Sequence, residues 1–125
     1  MECRNKIDSF TDLNAWKEGH KLVLSIYTIT KDFPDEERFG LTSQIRRAVI
    51  SITSNIAEGF RRETYKEKAR FYSISLASLS EVQNQLLVSR DVGYIDNERF
   101  NEIAEQSIIA SKLIFGLLRS TKGKV

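Results

Sequence analysis

Apolar residues recur every three to four positions along four long stretches of this chain, and this spacing most limits how the chain can fold. The second stretch shows it clearly, in Ile45, Val49, Ile52 and Ile56. Such a period is that of an amphipathic α-helix with one buried face, whereas a half-buried strand alternates apolar and polar residues. Helix-breaking residues lie between the stretches, at Pro34, Gly40, Gly59 and Gly93. The pattern therefore predicts an all-α protein.

The predicted helices cover about residues 12–32, 41–58, 64–91 and 96–119. Asp12 and Asp96 are placed to cap the first and fourth helices, and Thr64 with Glu67 fits a capping box at the start of the third. Gly59 suits the left-handed position just after the second helix. Because the connections are short, we expect an antiparallel up-down-up-down four-helix bundle.

Apolar residues also lie outside the stripe that would face the core of such a bundle. One core-facing stripe covers about 100° of a helix. Ile50, Ile109, Leu113 and one of two stripes on the first helix fall beyond it. Since symmetric homo-oligomers commonly cover such faces, we expect a cyclic homo-oligomer. A thicker core in a single subunit is the alternative.

Length, charge and cysteine content set further limits. The 125 residues suffice for one domain, over residues 1–125. The formal net charge is only +2, so nucleic-acid binding would have to come from a local patch. A single cysteine, Cys3, permits no intrachain disulfide, which suits the reducing cytoplasm where we expect the protein. No apolar run approaches the roughly 20 residues of a membrane span, so we expect no membrane partner.

The residue patterns of familiar catalytic and metal sites do not occur in this sequence. Di-iron sites in helix bundles use Glu-x-x-His pairs, but the sole histidine, His20, has no acidic residue three positions before it. One cysteine and one histidine also fall short of four zinc ligands. Nucleophile elbows, phosphate-binding loops and dinucleotide fingerprints do not occur. We therefore expect no enzymatic activity, cofactor or small-molecule substrate; an unrecognised enzyme is the weakest alternative.

The segment SNIAEGFRR, residues 54–62, places an acidic residue where a helix should end. The helix dipole disfavours a carboxylate there, so Glu58 needs a cation, which Arg62 or Arg70 could supply. In an antiparallel hairpin, Asn55 and Glu58 would lie near Arg70 and Ser73. We predict a structural polar network made of Ser54, Asn55, Glu58 and Gly59. An ordinary surface salt bridge is the alternative.

Basic residues crowd the second helix and the hairpin that follows it. The candidate nucleic-acid-binding residues are Arg46, Arg47, Arg61, Arg62, Lys66 and Arg70. Interleaved aromatic residues, Phe60, Tyr65 and Phe71, could stack on single-stranded bases. In a symmetric oligomer each patch is repeated, and repeated phosphate contacts give salt-sensitive binding to RNA or DNA. The alternative is a protein-interaction scaffold whose arginines are solvated or lie between subunits.

Three segments of the chain resemble a known family. They are LNAWKEGHKLVLSIYTITKDFP, LTSQIRRAVISITSNIAEGFRR and RFYSISLASLSEVQNQL. The resemblance is to the bacterial 23S ribosomal RNA intervening-sequence proteins. It implies an antiparallel four-helix bundle assembled as a ring, commonly a homopentamer, with no enzymatic activity or cofactor. A related protein, which accompanies a reverse transcriptase in diversity-generating retroelements, is similar in being a basic pentamer that binds nucleic acid. This chain departs from the family at Thr53, where proline is frequent, and at Gln83, which replaces an acid.

Overall fold

The computed structural model describes residues 6–123, and it folds these residues into four long helices. They are α1 (Asn14–Thr30), α2 (Leu41–Phe60), α3 (Tyr65–Asp91) and α4 (Asn97–Lys122). Two short 3₁₀ helices, Phe10–Asp12 and Asp35–Glu37, precede α1 and α2. Residues 6–123 contain no strand, so the prediction of an all-α fold with four helices is confirmed. None of the helices in this range is both long and apolar enough to span a bilayer.

All four helices contribute to one hydrophobic core. α2 packs against α1 and α3, and α4 packs against the same two helices. The stripe predicted on α2, namely Ile45, Val49, Ile52 and Ile56, is fully buried. The other helices bury Leu22, Ile26, Leu79, Val82, Leu86, Ile103, Ala110 and Ile114. The helical period thus identified the buried face of the molecule correctly on α2.

Side chains cap three of the helices, although one predicted cap is wrong. Thr64 accepts a hydrogen bond from the Glu67 amide at 3.1 Å, and the Asp96 carboxylate accepts one from the Arg99 amide at 2.7 Å. Asp12 does not cap α1, which begins at Asn14. Its carboxylate instead accepts from backbone amides before it, including that of Ser9 at 3.1 Å, which completes a capping box around the first 3₁₀ helix. These amide bonds hold the pKa of Asp12 below its ordinary value.

Gly59 lies inside α2, not in the left-handed position predicted after it. α2 continues to Phe60, and Gly93 is the one glycine in residues 6–123 with a positive φ, 88°. A Cβ atom built on Gly59 would come 2.6 Å from Cε1 of Tyr72 and 3.1 Å from Cβ of Phe71. The glycine is therefore required because α3 packs closely against this turn of α2, and not because of its backbone conformation.

The α1–α2 and α3–α4 connections meet at one end of the molecule. The Tyr94 hydroxyl donates a 2.8 Å hydrogen bond to the Glu37 carboxylate, and the Leu41 amide donates another at 3.0 Å. The rings of Phe33 and Tyr94 lie 5.2 Å apart. The Leu41 amide, followed by the Tyr94 hydroxyl, lowers the pKa of Glu37, and the bond from Tyr94 to Glu37 raises the pKa of the tyrosine. Glu37 therefore links the α1–α2 connection to the α3–α4 connection, although from the sequence the acidic residues 35–37 suggest only a solvated turn.

Candidate nucleic-acid interface

Five basic side chains gather where α2 ends and α3 begins, and we call them the hairpin patch. The hairpin patch consists of Arg61, Arg62, Lys66, Lys68 and Arg70. Three of its members, Arg61, Lys66 and Arg70, are exposed, whereas the other two are partly covered. The close α2–α3 connection brings these residues together because only four residues separate the two helices. The hairpin patch is therefore a local basic surface on a chain of low net charge.

Aromatic rings hold several of these cations in place. The Arg62 and Arg70 guanidinium groups lie 4.8 and 5.3 Å from the centre of the Phe71 ring. Arg61 lies 5.7 Å from the ring of Phe10, which precedes α1. A cation over the face of a ring is attracted by the ring's quadrupole, so these side chains lose some of their freedom. The hairpin patch thus presents positioned cations beside aromatic surfaces.

Lys68 has a structural task within the hairpin patch. Its ammonium group donates to the carbonyl oxygens of Phe60 at 2.7 Å and Gly59 at 3.3 Å. These carbonyls belong to the last turn of α2, where a helix leaves acceptors without partners and carries its negative pole. Burial lowers the pKa of Lys68. This cap has no local signal in the sequence, because Lys68 lies eight residues beyond Phe60.

The structure shows what holds Glu58 near the end of α2. Its carboxylate forms an ion pair with Arg62, one helical turn later. Of the two cations proposed from the sequence, Arg62 is therefore the partner and Arg70 is not. Both side chains remain partly exposed, 49% for Glu58 and 38% for Arg62, so the pair is a surface salt bridge worth at most about 1 kcal/mol.

The predicted polar network divides into separate parts. Asn55 donates to the carbonyl and hydroxyl oxygens of Ser51 on its own helix, at 2.8 and 3.0 Å. The Ser51 hydroxyl in turn lies 2.8 Å from that of Ser78 on α3. Ser54 is exposed and takes no part in these bonds. Hydrogen bonds among Asn55, Ser51 and Ser78 therefore connect α2 to α3. They lie about one helical turn before the end of α2, where the sequence predicted the network.

The six predicted binding residues do not form one surface. Arg46 is half-buried, donating from Nε to the Thr30 hydroxyl at 2.8 Å and lying 4.6 Å from the ring centre of Tyr27. Arg47 is exposed and donates to Gln44 of its own helix at 3.4 Å. Arg61, just after α2, comes 15 positions after Arg46, which is about 22 Å along the helix axis. Of the six predicted residues, Arg61, Arg62, Lys66 and Arg70 therefore lie in the hairpin patch, whereas Arg46 and Arg47 lie apart from it.

An open hollow lies along the first turns of α3 beside these cations. The residues that line it are Thr64, Lys66, Glu67, Ala69, Arg70 and Ser73.

 The hollow measures about 550 Å³ and is open to solvent. Two of its side chains are cations of the hairpin patch and one, Glu67, is acidic. Because it is open, the hollow differs from the enclosed clefts that bury most of a small ligand.

The structure adds little that would support metal chemistry. No group of three or more histidine, cysteine, aspartate or glutamate side chains in residues 6–123 could hold a metal ion. His20 stacks on Trp16, with ring centres 4.6 Å apart and planes 12° from parallel. Cys3 lies outside the described residues. The one histidine is thus engaged in packing on α1.

These features define a small all-α protein of four helices with a basic hairpin at one end. Residues 11–116 match the family described as 23S rRNA-intervening sequence protein, and the chain belongs to this family. The resemblance noted in the sequence is therefore confirmed.

A solved structure shares the fold. It is the crystal structure of a protein with unknown function from the S23 ribosomal protein family of Bacteroides thetaiotaomicron. The two chains are 22% identical, the TM-score is 0.78, and the match covers 84% of this chain and 95% of the other. Comparison with curated proteins returned no match.

Proposed function

We propose that this protein is a non-enzymatic module that binds RNA or DNA through the hairpin patch. The observation that carries the proposal is the set of exposed cations, Arg61, Lys66 and Arg70, gathered at one end of the molecule beside aromatic rings. Phosphate groups would contact the cations, and unstacked bases would lie against the rings. Neither role requires a catalytic residue or a cofactor.

Arg62 adds a donor to this surface. Its Nε is buried without a hydrogen-bond partner, while another guanidinium nitrogen pairs with Glu58. A buried donor without an acceptor costs free energy, so the side chain would gain by turning toward a phosphate oxygen. Nucleic-acid binding would therefore give the Arg62 Nε the phosphate acceptor that it lacks.

The proposed working unit is a cytoplasmic homo-oligomer, a pentamer by family resemblance, of antiparallel up-down-up-down bundles. Three contacts support opposite directions for α2 and α3, because residue numbers rise along one helix as they fall along the other. They are Lys68 with Phe60, Ser75 with Ile52, and Ser78 with Ser51. In a ring each hairpin patch is repeated, so that modest single-site attraction adds up over the assembly.

The test is filter binding of the purified protein to ribosomal RNA at several salt concentrations. Each phosphate contact contributes about −0.7 to the slope of log affinity against log salt for a single strand. Arg70→Gln should weaken binding to all sequences. It should also make that slope shallower by the contribution of about one phosphate contact for each subunit engaged. Lys31→Gln, which removes an exposed charge at the opposite end, is the matched control and should leave the slope unchanged. Affinity indifferent to salt would refute the proposal.

A protein-interaction scaffold is the second candidate, favoured by apolar side chains on the outside of α4. Ile108, Ile109 and Phe115 are each about half exposed. Co-purification with and without nuclease separates the two candidates. Bound nucleic acid supports the first, whereas a protein partner that survives nuclease supports the scaffold.

A further inference from the structure

Four aromatic rings lie among the cations of the hairpin patch or against them, and they differ in their accessibility to another molecule. Tyr65, the first residue of α3, is 45% exposed. Phe10, Phe60 and Phe71 are partly covered. Each of these three rings also has a cation of the hairpin patch over it already. The ring of Tyr65 is therefore the one most accessible to an incoming base.

Exposed cations follow Tyr65 along the first turns of α3. Lys66 and Arg70 are one helical turn apart, about 6 Å along the helix axis, and both line the open hollow. Thr64 and Lys66, the two neighbours of Tyr65 in the chain, also line the hollow, so the ring starts at its edge. A strand that passes over the hollow can therefore place phosphates near both cations and a base near the ring.

Acidic residues dilute the positive charge of this surface. Residues 58–70 contain five basic and three acidic side chains, which is a net charge of +2. Glu58 pairs with Arg62, and Lys68 donates to the last turn of α2. Glu67 lies in the wall of the hollow, and Glu63 is exposed. Since phosphate attraction supplies essentially all non-specific binding to a duplex, one such surface gains little from a double strand.

Base stacking supplies a contact that does not depend on charge. An aromatic side chain can stack on an unpaired base of any sequence, because every base has a π-face. The bases of a duplex are already paired and stacked on one another, and freeing one of them costs free energy. An accessible ring beside a modest set of cations therefore favours strands whose bases are unpaired.

We propose that the hairpin patch selects single-stranded nucleic acid, with Tyr65 as the residue on which an unpaired base stacks. Lys66 and Arg70 contact the phosphates beside that base, while Phe60 and Phe71 hold cations in place. This inference rests on the proposed function and deepens it, because it names the class of nucleic acid and the ring that recognises it.

The first test compares two RNA probes with the purified protein at one salt concentration. One probe is a single strand of about 16 nucleotides, and the other is the same strand paired with its complement. One stacked base contributes about 5-fold or more to affinity, so we expect the single strand to bind more tightly by at least that factor. A duplex that binds as tightly as the single strand would contradict the inference.

The second test removes the ring without changing the charge. Tyr65→Ala should weaken single-strand binding about 5-fold or more and leave the salt dependence unchanged, whereas Tyr65→Phe should bind like the wild type. Phe39→Ala is the matched control, because Phe39 is 85% exposed with Arg38 5.1 Å from its ring centre. Phe39 precedes α2, about 30 Å of helix away from the hairpin patch, so its loss should not alter binding. Equal losses in Tyr65→Ala and Phe39→Ala, or in Tyr65→Ala and Tyr65→Phe, would refute stacking on Tyr65.

The third test removes the bases and keeps the phosphates. An abasic strand of the same length should bind the wild-type protein more weakly than the intact strand, by at least the factor that Tyr65→Ala loses. Tyr65→Ala should then have no further effect on the abasic strand, since the two changes remove the same contact. If Tyr65→Ala weakened both strands equally, the ring would act through the fold and the inference would be wrong. The wild-type comparison of the two strands does not depend on how any variant folds.

The outcomes also separate this inference from the proposed function. A wild-type protein that binds neither the single strand nor the duplex in a salt-dependent way would remove both. Salt-dependent binding that is equal for the two probes and unaffected by Tyr65→Ala would remove the selection of single strands alone. The hairpin patch would then remain a surface that binds phosphates.

Discussion

Replacing Gly59 with alanine tests whether close packing, rather than backbone conformation, requires glycine there. Within a helix, alanine is more favourable than glycine by up to about 1 kcal/mol. Against this gain, the added Cβ would lie 2.6 and 2.9 Å from two ring carbons of Tyr72, which is only 2% exposed and cannot swing away. Overpacking of this kind costs about 1–3 kcal/mol. We therefore expect Gly59→Ala to lower the free energy of unfolding by about 1 kcal/mol.

Gly116→Ala supplies the matched control, since a Cβ there has no atom within 4 Å. It should stabilise the protein by about 1 kcal/mol, because only the helix propensity changes. Urea unfolding followed by circular dichroism, at one protein concentration, measures both variants. The penalty of Gly59→Ala should also shrink in a Tyr72→Leu background. Gly59→Ala as stable as Gly116→Ala, or a penalty unchanged in that background, would refute the packing argument.

Three further predictions concern single side chains. Lys66→Gln should weaken ribosomal RNA binding and reduce its salt dependence, as filter binding would show, without changing the thermal midpoint. Arg46→Met should lower the free energy of unfolding by about 1–2 kcal/mol, because it removes the bond to Thr30. It should leave RNA affinity unchanged, and urea unfolding and filter binding measure the two effects. Glu37→Gln should destabilise the protein at neutral pH but progressively less as the pH falls below 4.5, the ordinary value for glutamate. The lowered pKa of Glu37 means that its contribution is present above that value and lost as the carboxylate protonates, which thermal unfolding across pH 3–7 would detect.

The sequence predicts only part of the grouping of cations in the hairpin patch. It places Arg61, Lys66 and Arg70 together because they are close in sequence and α2 leads directly into α3. Arg46 was assigned to the same group from its charge alone, although its guanidinium packs on Tyr27 of α1. The capping role of Lys68 was not predicted, since its bonds to the end of α2 depend on the close approach of two helices. Local spacing contains no information about such distances.

The sequence by itself determined the helices and the buried face of α2, because helical periodicity is a local property of the chain. It also carried the family resemblance, in segments that span most of its length. Only the tertiary structure decided which polar groups meet across helices, as Glu37 meets Tyr94, and which glycine must remain small against Tyr72. Those outcomes depend on packing distances between residues far apart in the chain, and the order of amino acids along one helix does not specify them.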